Sequence, residues 1–355
     1  MIEKLPLELI DKCFKNKIIL LRMTSKKIRQ FLNIIQQPIA LTINSKWLRN
    51  PNNGNIPIKH DIITKSIITF NNISKLVLNN CRIDPNTAHK LEQALKNNTH
   101  LTFINLKANL IGSDGIKSIT KIIKRCPLLL HLDISCNNIN YKGAYSLARW
   151  IGMCKKLKHL NLAYNQIGPK GINSLKKKIS ILPIEFLNIS NNCLGSVEIN
   201  FLKDLKSSTI KHLNLSYNQI KSDDVNNLAQ MLSQCPNIYD INLSNNLIGL
   251  YRLDRFSIVF KNCKFISYLD LSHNQIGNDG IESFVNVLEE EECKTILSLN
   301  LSNNKISDIG ANSLARLLSR KCKSIVCLKL NNNNIESIGI NKIKEVYKGK
   351  RILKI

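Results

Sequence analysis

The chain has 355 residues, of which 43% are hydrophobic, and its 51 Lys and Arg against 25 Asp and Glu give a formal net charge of +26. This composition suits an ordered protein, and no apolar run approaches the ~20 residues that a membrane-spanning helix needs. The start, MIEKLPLELIDKCFK, lacks a hydrophobic stretch with a small-residue cleavage site, so we expect no secretory signal.

A cytoplasmic or nuclear location is therefore expected. The abundance of Lys, Asn and Ile is compatible with a source that lives within a host cell.

Two or three short amphipathic helices are predicted for residues 1–35. Their apolar positions are Leu5, Leu9, Phe14, Ile18, Leu21 and Ile28. The segment resembles a degenerate F-box in its LPLEL start, its Cys13-Phe14 pair and its Ser25-Lys26 pair. It departs from that family in a shorter spacing between the first two helices and in Ile28 and Phe31, which stand where a tryptophan is usual.

The F-box resemblance implies that these helices bind a Skp-type adaptor of a cullin-based ubiquitin ligase. The residues that would form this adaptor site are Leu5, Pro6, Leu9, Phe14, Ile18 and Leu21. The alternative is that the helices only cover the open end of the first repeat, as a stacked-repeat protein requires.

Residues 36–72 are predicted to form a linker and an irregular leading repeat. The stretch Pro51-Asn52-Asn53-Gly54-Asn55 is polar and typical of a loop. Ile39, Leu41 and Ile43 alternate with less apolar residues, which predicts a short strand ahead of the regular repeats.

Residues 73–355 contain a pattern, L-x-x-L-x-L-x-x-N-x-I, that recurs ten times with a spacing of 26 to 30 residues. It reads LTFINLKANLI from Leu101 and LKHLNLAYNQI from Leu157. The period of two predicts a short strand whose fourth and sixth positions point inward. The Asn at position nine can satisfy backbone groups where the chain turns. A glycine often follows, and then Ser or Asp is predicted to cap a helix, as at Ser113 and Asp308.

Self-similarity at this period predicts an α/β leucine-rich-repeat solenoid. With a helix in each unit, the chain resembles the ribonuclease-inhibitor-like family in phrases such as NLSYNQIKSDDVNNLAQML. The resemblance covers roughly residues 70–350 and implies a horseshoe of about ten repeats, with a parallel sheet on the concave side and helices outside. We expect a monomer whose basic C-terminal residues cap the last repeat.

Six of the eleven cysteines occupy one slot, three residues before the first leucine position of a repeat. They are Cys126, Cys154, Cys235, Cys263, Cys293 and Cys322. Because free cysteine behaves as a small buried hydrophobe, a slot that repeats is interpreted as a packing slot. No C-x-x-C pair occurs, so neither a disulfide framework nor a zinc site is predicted. Reduced thiols favour an intracellular protein.

The positive charge lies mainly in the predicted helices, as at Lys121, Lys124 and Arg320, where cations near helix ends complement the helix dipole. We interpret it as a solvated basic back, and the alternative is a surface that binds phosphate and hence nucleic acid. The concave face carries charges of both signs, so nucleic acid is not expected there.

Function is predicted at position three of the repeats, on the concave side of the sheet. This column holds Phe103, His131, His159, Phe186, His212, Asp240 and Tyr268, and it is extended by Tyr239 at position two and by Tyr164, Tyr217 and His273 at position eight. Exposed aromatic rings offer contact area at low entropy cost, so a protein-partner site is predicted. A chance alignment of aromatic residues is the alternative.

No metal site, cofactor or catalytic centre is predicted. His131 and His159 lie on adjacent strands but lack a Cys or carboxylate cluster beside them. The sequence has neither a P-loop nor a G-x-S-x-G motif. We therefore expect a protein-protein interaction scaffold, with an F-box-type substrate receptor as the finer hypothesis. Ran-directed GTPase-activating proteins share this repeat class and are the enzyme-related alternative, but they end in an acidic tail, whereas this chain ends in basic residues.

Overall fold

The computed structural model describes residues 18–19, 39–42, 63–64, 67–68, 73–195, 209–249, 252–291, 295–320, 324–347 and 352–354. The chain divides into two compact units, Met1–Gln166 (unit 1) and Ile167–Ile355 (unit 2).

Unit 1 is a parallel sheet in which each strand pairs with the next strand along the chain. Its strands are β1 (Ile18–Ile19), β2 (Ile39–Thr42), β3 (Ile73–Val77), β4 (Phe103–Asn105), β5 (His131–Asp133) and β6 (His159–Asn161). Its helices are α1 (Pro85–Ala94), α2 (Gly112–Lys124) and α3 (Tyr141–Ile151). Neighbouring helices pack side by side in the same order as the strands.

Unit 2 repeats this arrangement. Its strands are β7 (Phe186–Asn188), β8 (His212–Asn214), β9 (Asp240–Asn242), β10 (Tyr268–Asp270), β11 (Ser298–Asn300), β12 (Cys327–Lys329) and β13 (Ile352–Lys354). Its helices are α4 (Gly168–Ile179), α5 (Val225–Leu232), α6 (Ser257–Asn262), α7 (Gly277–Glu290), α8 (Asp308–Arg320) and α9 (Ser337–Val346), with 3-10 turns at Ser222–Asp224 and Leu253–Phe256. All strand pairs described in this unit are parallel.

The core of each repeat comes from the leucine positions of the pattern and from one face of the following helix. In the repeat that contains β5, Leu132 and Ile134 are fully buried, as are Ala144 and Ile151 of α3. Burying a side chain of this size contributes roughly 1.5–3 kcal/mol. The repeated leucines therefore account for the stacking of one repeat on the next.

The asparagine at position nine satisfies backbone groups at the turn, as predicted, and it also joins consecutive repeats. Asn165 accepts hydrogen bonds at its Oδ1 atom from the backbone N–H groups of Asn137 (3.1 Å) and Ile139 (3.0 Å). Its Nδ2 atom donates to the carbonyl oxygens of Ile134 (3.1 Å) and Leu162 (2.9 Å). Both ends of the carboxamide are thus used inside the core, which satisfies backbone groups that would otherwise be unpaired.

The cysteine slot is a packing slot, as predicted, at every one of its members that the structure describes. These are Cys126, Cys154, Cys235 and Cys263, and all four are buried. The thiol of Cys154 donates to the carbonyl oxygen of Cys126 in the preceding repeat (3.6 Å), and that of Cys263 donates to the carbonyl oxygen of Cys235 (3.4 Å). Cys293 and Cys322 lie outside the described residues.

The prediction that Ser113 caps helix α2 is wrong. The helix begins at Gly112, whose φ of +60° makes the turn, and the preceding Ile111 offers no side-chain hydrogen bond to the helix end. Ser113 instead donates to Oδ1 of Asn140 (2.6 Å) and accepts from the backbone N–H of Asn140 (2.9 Å) in the next repeat. Asp308 acts similarly, because its Oδ1 atom accepts from the backbone N–H of Glu336 (2.7 Å).

Ile18 lies in a strand and not in the predicted helix. It pairs in parallel with Ala40 of β2, which in turn pairs with β3. Two consecutive β-branched residues favour extended backbone, which accounts for the difference. The predicted strand at Ile39 and Leu41 is confirmed by β2. The other predicted adaptor-site residues, Leu5, Pro6, Leu9, Phe14 and Leu21, lie outside the described residues.

At the other end of the chain, β13 pairs with β12 and so adds a final strand to the sheet of unit 2. Within the ranges that the structure describes, no helix has both the length and the apolar character needed to cross a bilayer.

Candidate functional site

Each of the three-residue strands β4 to β12 buries its middle side chain and leaves the two flanking ones on the opposite side of the sheet. The pattern of half-buried, buried and half-buried side chains repeats at β4, β6, β7, β8, β9, β11 and β12. Because successive side chains of a strand point to opposite faces, the flanking positions lie on the face away from the core. We call this the open face.

Position five of the open face serves the scaffold. Its Asn or Asp side chain accepts a hydrogen bond of 2.9–3.2 Å from the backbone N–H two residues further along the chain. The residues concerned are Asn105, Asp133, Asn161, Asn188, Asn214, Asn242, Asp270 and Asn300. These carboxamides and carboxylates hold the chain where it leaves the strand, which explains why the same residue types recur there.

In unit 1, three predicted site residues at position three stack on one another. The ring centroids of Phe103 and His131 are 3.9 Å apart with an interplanar angle of 5°, and those of His131 and His159 are 3.9 Å apart at 16°. The ammonium group of Lys75 lies 4.5 Å from the centroid of the Phe103 ring. Neighbours therefore cover both faces of the Phe103 and His131 rings and one face of the His159 ring.

Burial in the stack keeps His131 uncharged below neutral pH as well as at it. Burial lowers the pKa of His131 from 6.5 to about 4, with a further contribution from His159. Burial also lowers the pKa of His159. Parallel imidazole rings present faces to each other and do not converge on a metal ion, and no group of three or more His, Cys, Asp and Glu side chains within the described residues could hold one.

In unit 2, five predicted site residues lie together, and we call them the aromatic cluster: Phe186, His212, Tyr239, Asp240 and Tyr268. Four of them stand at position three on the open face, and Tyr239 immediately precedes strand β9. The rings of Tyr239 and Tyr268 meet edge to face, with centroids 5.1 Å apart, and His212 meets Tyr239 at 5.6 Å. Atom Nδ1 of His212 lies 3.3 Å from Oδ2 of Asp240. A hydrogen bond to Tyr268 raises the pKa of Tyr239. In contrast to the stack of unit 1, these tyrosines keep large exposed areas, 36% for Tyr239 and 40% for Tyr268.

A groove of about 260 Å³ runs beside the aromatic cluster. Residues that line it include Phe186, His212, Asp240, Tyr268, Asp270 and Lys329. Its two carboxylates accept hydrogen bonds but cannot donate them. The groove combines apolar ring surface with a few fixed polar groups, which is the combination found in protein-binding sites.

The repeats match a known family. A family described as "Leucine Rich repeat" matches residues 97–119, 125–148, 154–176, 206–229, 262–285 and 292–315. Each matched segment contains a strand of the parallel sheet, the turn held by the position-nine asparagine and residues of the helix or 3-10 turn that follows. The matched segments are leucine-rich repeats. The predicted α/β leucine-rich-repeat fold is thereby confirmed.

Two solved structures from Listeria monocytogenes are similar to this chain. Internalin C2 is 23% identical, with 66% of this chain and 82% of that chain covered and a TM-score of 0.43. Internalin F is 17% identical, with 75% of this chain and 82% of that chain covered and a TM-score of 0.39. No curated protein matches the chain.

The position-eight residues of the leucine-rich repeats have left-handed backbone. The values of φ are +54° at Tyr164, +57° at Tyr217 and +53° at His273. The backbone N–H of Tyr217 donates to the carbonyl oxygen of Ser244 (3.0 Å), and that of His273 donates to the carbonyl oxygen of Ser302 (2.8 Å). The left-handed conformation is therefore a regular feature of the repeat. Asn stands at the same position in other repeats. Because Asn tolerates left-handed backbone, the left-handed conformation at position eight could have been predicted from the sequence. Tyr164 and Tyr217 are about half exposed and flank the open face.

Sequence reasoning missed three residues of the open face. Lys75 pairs in register with Phe103 and extends the position-three column by one strand. Asp270 and Lys329 occupy position five and line the groove of unit 2. Their position in the repeat was readable from the sequence, but the predicted site was confined to positions two, three and eight.

Proposed function

We propose that this protein is a binding protein without catalytic activity, and that it recognises another protein through the open face of its sheet. The aromatic cluster of unit 2 is the main contact area in this proposal. A single observation carries it: Tyr239 and Tyr268 remain widely exposed although they pack against each other beside a groove.

Tyrosine suits such a role because it offers a large ring with few rotatable bonds and a hydroxyl tip. The backbone holds both rings side by side, because the N–H of Tyr268 donates to the carbonyl oxygen of Tyr239 (3.1 Å) and Tyr268 pairs in register with Asp240. The side chains are thus ordered before binding, so little further entropy is lost on association. The carboxylate of Asp240 lies 3.3 Å from Nδ1 of His212, and that of Asp270 accepts from the backbone N–H of Ser272 (2.9 Å) and from Nδ2 of Asn300 (2.9 Å). A carboxylate can accept further hydrogen bonds, and we therefore expect the partner to place cationic or N–H groups in the groove.

The test compares two variants of the full chain. Tyr239→Ala with Tyr268→Ala removes both exposed rings, and Phe265→Ala removes a ring that is 60% exposed but lies outside the aromatic cluster. A partner is first identified by affinity capture with the wild-type protein, and its dissociation constant is then measured for each variant. The double variant is expected to bind about tenfold or more weakly, as for interface hot spots, while Phe265→Ala binds as the wild type does. Equal binding by both variants would exclude the cluster as the contact area.

A finer form of the proposal makes the protein an F-box-type substrate receptor. Its support is the sequence resemblance of residues 1–35, and the strand at Ile18 departs from the helix which that resemblance implies. The test is binding of the full chain to a Skp-type adaptor, which Leu9→Asp should abolish. If the wild-type chain does not bind the adaptor, the F-box hypothesis is excluded, whereas the hypothesis of a partner site on the open face is not affected. As part of this finer form, we also propose that the protein belongs to the ribonuclease-inhibitor-like subclass, is intracellular and is a monomer.

A further inference from the structure

A second surface with its own chemistry lies on the helices of unit 1. A groove of about 650 Å³ between α2 and α3 is lined by Lys117, Lys121, Lys124, Arg125, Arg149 and Trp150. We call it the basic groove. The three lysines follow one another at helical spacing and so share one face of α2. Arg149 and Trp150 close the groove from α3.

Three of these cations have no carboxylate partner within the described residues. Lys117 pairs with Asp114 (2.8 Å) and Arg125 pairs with Glu92 (2.9 Å), whereas Lys121, Lys124 and Arg149 form no ion pair there. The ammonium group of Lys124 lies 4.2 Å from the centroid of Trp150, and the guanidinium carbon of Arg149 lies 5.8 Å from it. The ammonium group of Lys124 and the guanidinium group of Arg149 thus both lie close to the indole ring of Trp150.

The corresponding surface between α7 and α8 is neutralised within the protein. There Arg316 bonds to Glu282 (3.0 Å), Glu289 (3.3 Å) and Asn286 (2.8 Å). Like charges that gather without a counter-charge repel one another, and a bound anion removes this repulsion. The contrast between the two helix pairs indicates that the basic groove takes its negative charge from a partner.

We propose that the basic groove binds an acidic polypeptide segment, at a site separate from the open face. Helix α2 has 13 residues and is therefore about 20 Å long, which matches roughly six residues of extended chain. The Arg149 guanidinium can hold a carboxylate with two parallel hydrogen bonds. Binding of single-stranded nucleic acid relies on free aromatic faces for base stacking, and Lys124 already covers a face of the half-buried Trp150.

The test uses a fluorescent ten-residue poly-glutamate peptide and the full chain at physiological salt. Lys121→Glu with Lys124→Glu reverses two charges in the last turn of α2, and Lys177→Glu with Lys178→Glu makes the same change in the last turn of α4. The first variant is expected to bind the peptide about tenfold or more weakly, because close charge pairs control such contacts, and the α4 variant binds as the wild type does. Equal losses in both variants would overturn the proposal, because they indicate attraction to the overall charge alone.

A second readout remains if the charge-reversed variant does not fold. The chain has two tryptophans, so Trp47→Phe leaves Trp150 as the sole indole, and peptide binding should shift its fluorescence with saturation. An unchanged emission at saturating peptide would contradict the assignment. The same measurement is made with a ten-nucleotide single-stranded DNA. If this DNA binds more tightly than the peptide does, and if its affinity falls in the Lys121→Glu, Lys124→Glu variant, the choice of an acidic polypeptide is overturned.

Discussion

His131 illustrates how one residue type acquires a specific role from its neighbours. It lies between the rings of Phe103 and His159, and its Nε2 atom is buried without a hydrogen-bond partner among the described residues. The sequence predicted that these three side chains share a face. It could not predict that they stack, because ring orientation depends on side-chain torsions set by the neighbouring strands.

The low pKa of His131 makes a prediction about stability. In the fold this pKa is about 4, below its ordinary value of 6.5, so the unfolded chain takes up the proton first as the pH falls. The contribution of His131 to the free energy of unfolding is therefore fully present above about pH 6.5 and is lost as the pH falls toward 4. The groups that face it are Lys75, His159 and Asp133.

Urea unfolding of the wild type and of His131→Phe at pH 7, 5.5 and 4.5 measures this contribution. Phenylalanine keeps the stacked ring but cannot be protonated, so the variant is expected to lose less stability between pH 7 and 4.5 than the wild type does. Identical pH dependence in the two proteins would show that protonation of His131 is not coupled to unfolding.

At the scale of elements, the strand, the asparagine turn and the helix of each repeat were predictable because their signals lie within one repeat. The role of Ser113 was not, because its partner Asn140 stands in the next repeat. The strand at Ile18 was also missed, since its pairing with Ala40 joins segments that share no repeat pattern. Contacts between repeats thus could not be predicted from the pattern within one repeat.

The asparagine at position nine gives the test at this scale. Asn218 is fully buried, donates to the carbonyl oxygens of Ile189, Leu215 and Ser216, and accepts from the backbone N–H of Asn192. Asn218→Ala leaves these groups unpaired in the core and should lower the free energy of unfolding by about 3 kcal/mol. The matched control is Asn312→Ala, which changes an exposed position of α8 and should leave stability nearly unchanged. Similar urea midpoints for the two variants would contradict the structural role of Asn218.

At the scale of the whole molecule, the repeats determine which residues can reach a partner, but not which of them do. Alternation predicted all members of the position-three column. The structure separates them: in unit 1 the rings of Phe103, His131 and His159 cover one another, whereas in unit 2 Tyr239 and Tyr268 stay exposed beside a groove. The predicted column is therefore a scaffold for a smaller candidate site.

Site-specific photo-crosslinking tests the open-face site most directly. Benzoylphenylalanine replaces Tyr268 on the open face in one variant and Ile309, which is 69% exposed on α8, in another. Both variants are irradiated with the captured partner. We expect the partner to crosslink through position 268 and not through position 309. Crosslinking through position 309 with none through position 268 would contradict it.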